Sequence, residues 1–140
     1  MPAGYSKRSL VEKLGIKPQS NIAILNAPAG FAETLGALPD GVALKSGLSK
    51  ELQFIHAFYL DRRQLELQFP ALKKALAESG ALWISWPKKA AKIPTDLTEN
   101  IVRETGLRHG LVDIKVCAVD AVWSGLKFVY RVKDRRPSKF

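Results

Sequence analysis

The sequence predicts one α/β domain: a mostly parallel sheet in a three-layer arrangement, with helices on both faces and a C-terminal antiparallel hairpin. Three observations predict it. Short continuous apolar runs such as Ile22-Ala23-Ile24-Leu25 suit strands buried on both faces. Those runs alternate with helical patterns, as parallel strands joined by crossovers require. The last two strand-like runs are separated only by Asp120-Ala121-Val122, a link short enough for a hairpin.

The elements follow in order. Ser9 to Leu14 reads as a short helix, with Ser9 as N-cap, Glu12 three residues on, and Gly15 as its stop. Lys17-Pro18-Gln19-Ser20 is a turn before the first strand, Ile22–Leu25. Asn26 to Gly30 breaks that strand, and Phe31 to Leu35 forms a helix ended by Gly36. Pro39-Asp40-Gly41 turns into a second strand, Val42 to Leu44. Leu52 to Leu60, rich in aromatics, is the third. Asp61 caps the next helix with Gln64 three residues later, and Leu65, Phe69, Leu72 and Leu76 share one face. Pro70 predicts a kink or a second helix start, and Ser79-Gly80 the end. Ala81 to Trp86 is the fourth strand, and Pro87 to Pro94 a loop carrying Lys88, Lys89 and Lys92. Asp96-x-x-Glu99 reads as a capping box for a helix with Leu97, Ile101 and Val102 on its apolar face and Gly106 at its end. Leu111 to Val119 and Trp123 to Val132 are the hairpin strands.

Length and composition place the chain among single globular domains. A chain of 140 residues with 46% hydrophobic and 25% charged residues can bury a core without staples. Its single cysteine, Cys117, excludes an internal disulfide and any cysteine-cluster metal site, so no metal is expected and a reduced compartment fits. No apolar run reaches the roughly 18 residues of a membrane span. Met1 to Arg8 lacks the apolar stretch of a secretory signal. A cytoplasmic location is expected, without membrane association. The net charge is +9, of which +2 falls in residues 1–8 and +4 in residues 131–140. Residues 1–8 and 133–140 are therefore expected to be flexible basic tails of a single domain spanning 1–140. Nucleic-acid binding is expected to be non-specific at most, through Arg131, Lys133, Arg135, Arg136 and Lys139.

A terminal hairpin on a parallel sheet resembles the class I methyltransferase fold, a Rossmann-like architecture. The resemblance implies a strand order of 2-1-3-4-6-5, with one strand–helix unit absent between the second and third strands. Gly15-Ile16-Lys17-Pro18 is similar to the segment before the first methyltransferase strand, and Gly30 follows in register. Nearly the full length also resembles an uncharacterised bacterial domain-of-unknown-function family. That likeness rests on Leu25 to Phe31, Ala81 to Lys89, Val116 to Asp120 and Trp123 to Leu126, and it implies no activity. Active methyltransferases resemble one another in an acid near the end of strand one, a glycine-rich turn after it, and a second acid at the end of strand two. Here the first acid's position falls at Ile24, and the glycine positions fall at Asn26, Pro28 and Gly30. Pro28 removes a backbone donor. The second acid's stretch is Leu44-Lys45-Ser46-Gly47-Leu48, with no acid before Glu51. The cofactor S-adenosylmethionine is accordingly not expected, nor any other.

Ligands of open α/β sheets bind beyond the carboxyl ends of the strands where strand order reverses, here between strands one and three. The candidates at that end are Asn26, Pro28 and Gly30, then Tyr59 and Asp61, then Trp86, Lys88 and Lys89, with Asp120, Trp123 and Ser124 from the hairpin turn. Aromatic rings could stack on a ligand ring, lysines could meet a phosphate or carboxylate, and the helix opening at Gly30 favours an anion. A structural reading competes: the two tryptophans pack together, Lys88-Lys89 is a solvated loop, and Asn26 and Asp120 bond turn backbone. His56, inside an apolar strand, reads as a buried structural histidine, and Cys117 as an inert thiol. His109 has no chemical role. No Gly-x-Ser-x-Gly, His-Glu-x-x-His or Walker A pattern occurs.

The reading is a degenerate methyltransferase-like domain, leaning away from an enzyme, with no catalytic residues. It binds a small anionic or nucleotide-like ligand, or a protein partner. The alternatives are a divergent S-adenosylmethionine-dependent methyltransferase and a polyanion-binding module using the basic C-terminus.

Overall fold

A computed structural model describes residues 8–136. The elements run α1 (Leu10–Leu14), β1 (Asn21–Leu25), α2 (Phe31–Leu35), β2 (Ala43–Lys45), β3 (Leu52–Phe58), α3 (Arg62–Ala75), β4 (Leu76–Pro87), α4 (Glu99–Arg108), β5 (Leu111–Ala118) and β6 (Trp123–Tyr130). The six strands form one sheet in the order β2-β1-β3-β4-β6-β5, the order expected. Pairs β2–β1, β1–β3 and β3–β4 are parallel, while β4–β6 and β6–β5 are antiparallel. β2 passes to β3 through residues 46–51 with no helix between.

Register assigns side chains to two cores. Ala23, Ile55, Leu82 and Phe128 stand in one row across the sheet, beside Ala57, Ile84 and Leu126, and pack under α3 and α4. Phe54, Phe58, Trp83 and Trp123 occupy the opposite face with Val11 and Leu14 of α1 and Phe31 and Leu35 of α2. The alternation follows from the two-residue period of a strand. Trp83, fully buried, donates its indole N–H to the carbonyl of Leu14 at 2.8 Å, which ties α1 to the sheet. Such a bond is needed because a buried indole N–H left unpaired costs about 1–3 kcal/mol.

Several local expectations hold at the atomic level. Ser9 and Glu12 make the reciprocal capping box, and Gly15 takes the left-handed conformation at the C-cap (φ 83°). Asp61 accepts from the Gln64 amide at 3.0 Å. Four others are corrected. α3 ends at Ala75, before Ser79-Gly80, because Leu76 already pairs with Leu52 and begins β4. No second helix starts at Pro70, which lies inside the continuous α3. The N-cap of α4 is Thr98, whose hydroxyl accepts from the Ile101 amide at 3.2 Å, while Asp96 accepts from the Arg62 amide at 2.8 Å and serves α3. Gly106 does not end α4. It lies inside the helix against Phe128, and a Cβ there would stand 2.0 Å from the ring.

Candidate functional site

The carboxyl ends of β1, β3 and β4 carry the candidates, and the fold disposes of them differently. Trp86 and Trp123 are 5% and 9% exposed and lie on opposite faces of the sheet. They do not pack together, and neither presents an open ring face. In the antiparallel pair Trp86 stands opposite Ser124 and Trp123 opposite Pro87, so the two indoles differ by one step of the pleat. Trp123 meets Phe58 edge to face at 5.2 Å instead. Tyr59 is 1% exposed and donates its hydroxyl to Gln68 Oε1 at 2.6 Å; burial raises its pKa. Asp61 is occupied by the cap of α3. One carboxylate oxygen of Asp120 accepts from the amides of Val122 and Trp123, both at 2.8 Å, and so stabilises the hairpin turn. The Lys88 backbone amide is tied to the Val122 carbonyl at 2.7 Å, and Lys89 is exposed in a 3-10 turn over Lys89–Ala91.

The turn after β1 keeps an unusual backbone. Asn26 (φ 58°) and Gly30 (φ 83°) are both left-handed. Asn is among the few non-glycine residues that visit this region routinely. The Pro28 carbonyl accepts from the Phe31 amide at 3.1 Å, and nothing stands within 4 Å of the place a Cβ on Gly30 would occupy.

Beside this turn lies a cavity of about 320 Å³. Ile24 of β1 and Ala27 of the following turn close one side, Phe31, Ala32 and Leu35 of α2 another, and Leu44, Lys45 and Ser46 at the end of β2 the third. Its walls are apolar, and Lys45 is its one charged lining residue. Residue-type patterns do not reveal this pocket: the sequence shows Lys45 where an acid would stand, but only the fold brings it beside Phe31 and Ile24.

Beneath Phe31 sits His56, fully buried and stacked on Phe58 at 4.2 Å. Its Nε2 lies 2.7 Å from the Ser85 hydroxyl, and Nδ1 has no hydrogen-bond partner. Burial pushes its pKa down to about 3, so the imidazole is neutral at physiological pH. Cys117, half-buried, has its pKa raised by burial, against the pull of Lys115 and Lys13. His109 stacks on Phe69 at 4.9 Å, with Nδ1 2.8 Å from the Thr105 carbonyl.

At the C-terminus, Arg131 donates to the Leu107 carbonyl at 3.3 Å and Arg135 to the Tyr130 carbonyl at 2.9 and 3.1 Å. Arg136 pairs with Glu78 at 3.2 Å, and Lys133 lies in a 3-10 turn over Val132–Asp134. Lys139 lies outside the described residues. Among the described residues, no helix is long and apolar enough to cross a membrane, and no three His, Cys, Asp or Glu side chains gather as a metal site requires.

No protein-family model and no curated protein matches the sequence. Solved structures do match. A SAM-dependent methyltransferase from Aquifex aeolicus aligns with a TM-score of 0.60 at 18% identity, covering 85% of this chain and 86% of that one. A TehB-like SAM-dependent methyltransferase from Corynebacterium glutamicum aligns at 0.56 and 10% identity, covering 92% and 91%. The fibrillarin pre-rRNA processing protein of Methanococcus jannaschii aligns at 0.58 and 13%, covering 82% and 68%. The chain has the methyltransferase-like Rossmann fold. Identities this low speak for architecture alone.

Proposed function

We propose that this chain is a methyltransferase-fold domain whose pocket beside β1, α2 and β2 binds a small molecule with a flat apolar body and one anionic group, without methyl transfer. The observation that carries this reading is Lys45, the one charged residue in an otherwise apolar cavity of about 320 Å³. That volume is at the lower end of the roughly 300–1,000 Å³ of ligand pockets. A purine or similar ring would bury against Ile24, Phe31 and Leu44, while Lys45 would meet a phosphate or carboxylate. S-adenosylmethionine fits less well on charge. Its sulfonium and ammonium would enter a site with a lysine and no lining acid, where like charges repel. Of the lining residues only Lys45 and Ser46 carry a group that can act as base or nucleophile, and no lining histidine or carboxylate stands beside them to activate it.

The test is calorimetry with adenosine 5′-monophosphate, adenosine, S-adenosylmethionine and its demethylated product. The nucleotide should bind more tightly than the nucleoside, and Lys45→Ala should weaken the nucleotide about tenfold, about 1.4 kcal/mol, while sparing the nucleoside. Ala32→Trp, which fills the cavity, should abolish both. If none of the four binds, the ligand reading is wrong.

A second reading, a divergent S-adenosylmethionine-dependent methyltransferase, is favoured by one feature. The left-handed Asn26 and Gly30 keep the backbone path of a glycine turn even though two of its three glycine positions hold Asn26 and Pro28. Tightest binding by the methyl donor, lost in Asn26→Val, would install that reading in place of the first.

A further inference from the structure

A second cavity lies at the opposite end of the sheet, over the amino-terminal ends of β1, β3 and β4. Its volume is about 460 Å³, and Lys17, Gln19, Ser20, Gln53, Ser79 and Lys127 are among its walls. Both charged lining residues are lysines. No acid lines it. Lys127 projects from β6 on the α1 side, since it follows Trp83 in the row across the sheet, and Lys115 of β5 stands next in that row. The Lys127 ammonium lies over Gly15, 3.6 Å from where a Cβ would be. Lys115 donates to the carbonyl of Lys13 at 3.1 Å, and the charges of both lysines reach the Cys117 thiol, which puts a third and a fourth cation on the α1 flank of the hairpin.

This convergence of like charges is unfavourable by itself. Among the described residues every salt bridge uses an arginine, and none of these four lysines has a carboxylate partner. The acids nearest the far wall do not compensate: Glu78 is engaged by Arg136, and Glu51 does not line the cavity. Burial, and then repulsion from Lys115 and Lys17, holds the Lys127 pKa below its ordinary value. The backbone is strained here too. Gln19 is left-handed at φ 59°, a conformation that non-glycine residues rarely adopt. Its amide is fixed to the Asp40 carbonyl at 2.9 Å, so the strain is held by the fold. Gln53 Oε1 accepts from the Asn21 amide at 2.6 Å, which commits its oxygen and leaves its amide hydrogens as donors. The Ser20 hydroxyl already donates to the Lys17 carbonyl at 2.7 Å, so the donors offered are the lysines, the Gln53 amide and Ser79; cations without a carboxylate partner, such donors and a bounded volume are what a phosphate group requires. A bounded cavity of this size suits a small molecule better than a nucleic-acid duplex.

We propose that this amino-end cavity is a phosphate site in which Lys17 and Lys127 hold the phosphate group of a small organic phosphate, with Lys115 and Lys13 supplying long-range attraction. The site is independent of the carboxyl-end pocket. The experiment is titration of the full chain with inorganic pyrophosphate and with ribose 5-phosphate at constant ionic strength, read by calorimetry and by amide chemical shifts. Both probes should bind and should shift Gly15, Ser20 and Gly80 rather than Asn26 to Gly30. Lys17→Ala with Lys127→Ala should weaken binding at least tenfold while leaving the ligand-free melting temperature unchanged or higher, since like charges are removed. Lys88→Ala with Lys89→Ala should change nothing. The wild-type shift pattern decides the matter by itself if the double variant does not fold. Binding that survives the Lys17 and Lys127 substitutions, that maps to Asn26–Gly30, or that equal sodium chloride reproduces would overturn the proposal. So would an oligothymidylate without terminal phosphates binding tenfold more tightly than ribose 5-phosphate, because the ligand would then be a nucleic-acid strand.

Discussion

The buried imidazole of His56 should make this protein lose stability as the pH falls. The imidazole is fully buried between Phe31, Phe54 and Phe58, with Ser85 as its hydrogen-bond partner and Nδ1 bare. Its pKa falls from 6.5 to about 3 on burial, so between those values the unfolded chain binds a proton that the folded chain refuses. Stability therefore drops as pH falls below about 6.5. The slope is about 1.4 kcal/mol per pH unit, and the loss reaches about 3 kcal/mol by pH 4.5. Against a total of about 5–15 kcal/mol, that is a large share. Carboxylates add their own acid sensitivity at lower pH. Glu66, for instance, has its pKa held down first by the hydrogen bond from Arg108. A comparison removes that background: urea unfolding of wild type and of His56→Leu with Ser85→Ala, at half-unit steps from pH 8 to pH 4.5. The variant should lose about one proton's worth of slope between pH 6.5 and 5, whatever its absolute stability. Equal slopes in the two proteins, or a wild-type imidazole resonance for His56 titrating near 6.5, would refute the reasoning.

Two further substitutions test how the sheet and helices meet. Gly106→Ala places a methyl 2.0 Å from Phe128 Cε1, where carbon atoms normally pack about 3.5–4.0 Å apart. Phe128 cannot easily yield because it abuts Phe69 at 5.9 Å. Overpacking of roughly 1–3 kcal/mol or more should outweigh the gain in helix propensity of about 1 kcal/mol, and calorimetry should show a lower melting temperature; a rise would mean the helix is free of the sheet there. Thr98→Ala should cost about 1 kcal/mol and speed amide exchange at Ile101, whereas Asp96→Ala should speed exchange at Arg62; the reverse pattern would return the cap of α4 to Asp96.

Much of the fold was legible in short-range signals. Ser9 with Glu12, and Asp61 with Gln64, announce helix starts because the hydrogen bond that makes each cap joins residues three apart. The unbroken apolar run at β1 marks a strand covered on both faces, and the brief link at Asp120 marks a hairpin whose strands must run antiparallel. The candidate site was less legible. Strand order pointed to the crevice between β1 and β3, whereas the pocket lies beside β1, α2 and β2 and none of the residues proposed lines it; most of the polar and aromatic ones are committed to the fold itself. Asp120 bonds its own turn and Tyr59 bonds Gln68.

By itself, then, the sequence determined where the elements begin, which runs are buried and how the chain alternates, because those depend on contacts a few residues apart. Only the tertiary structure decided which face each tryptophan takes, since one step of register across β4 and β6 separates Trp86 from Trp123. It alone decided that Gly106 is a spacer against Phe128. It alone gathered Lys17 and Lys127 into one cavity. Charge acts through space, and the distance between two cations far apart in the chain exists only after the sheet has closed between them.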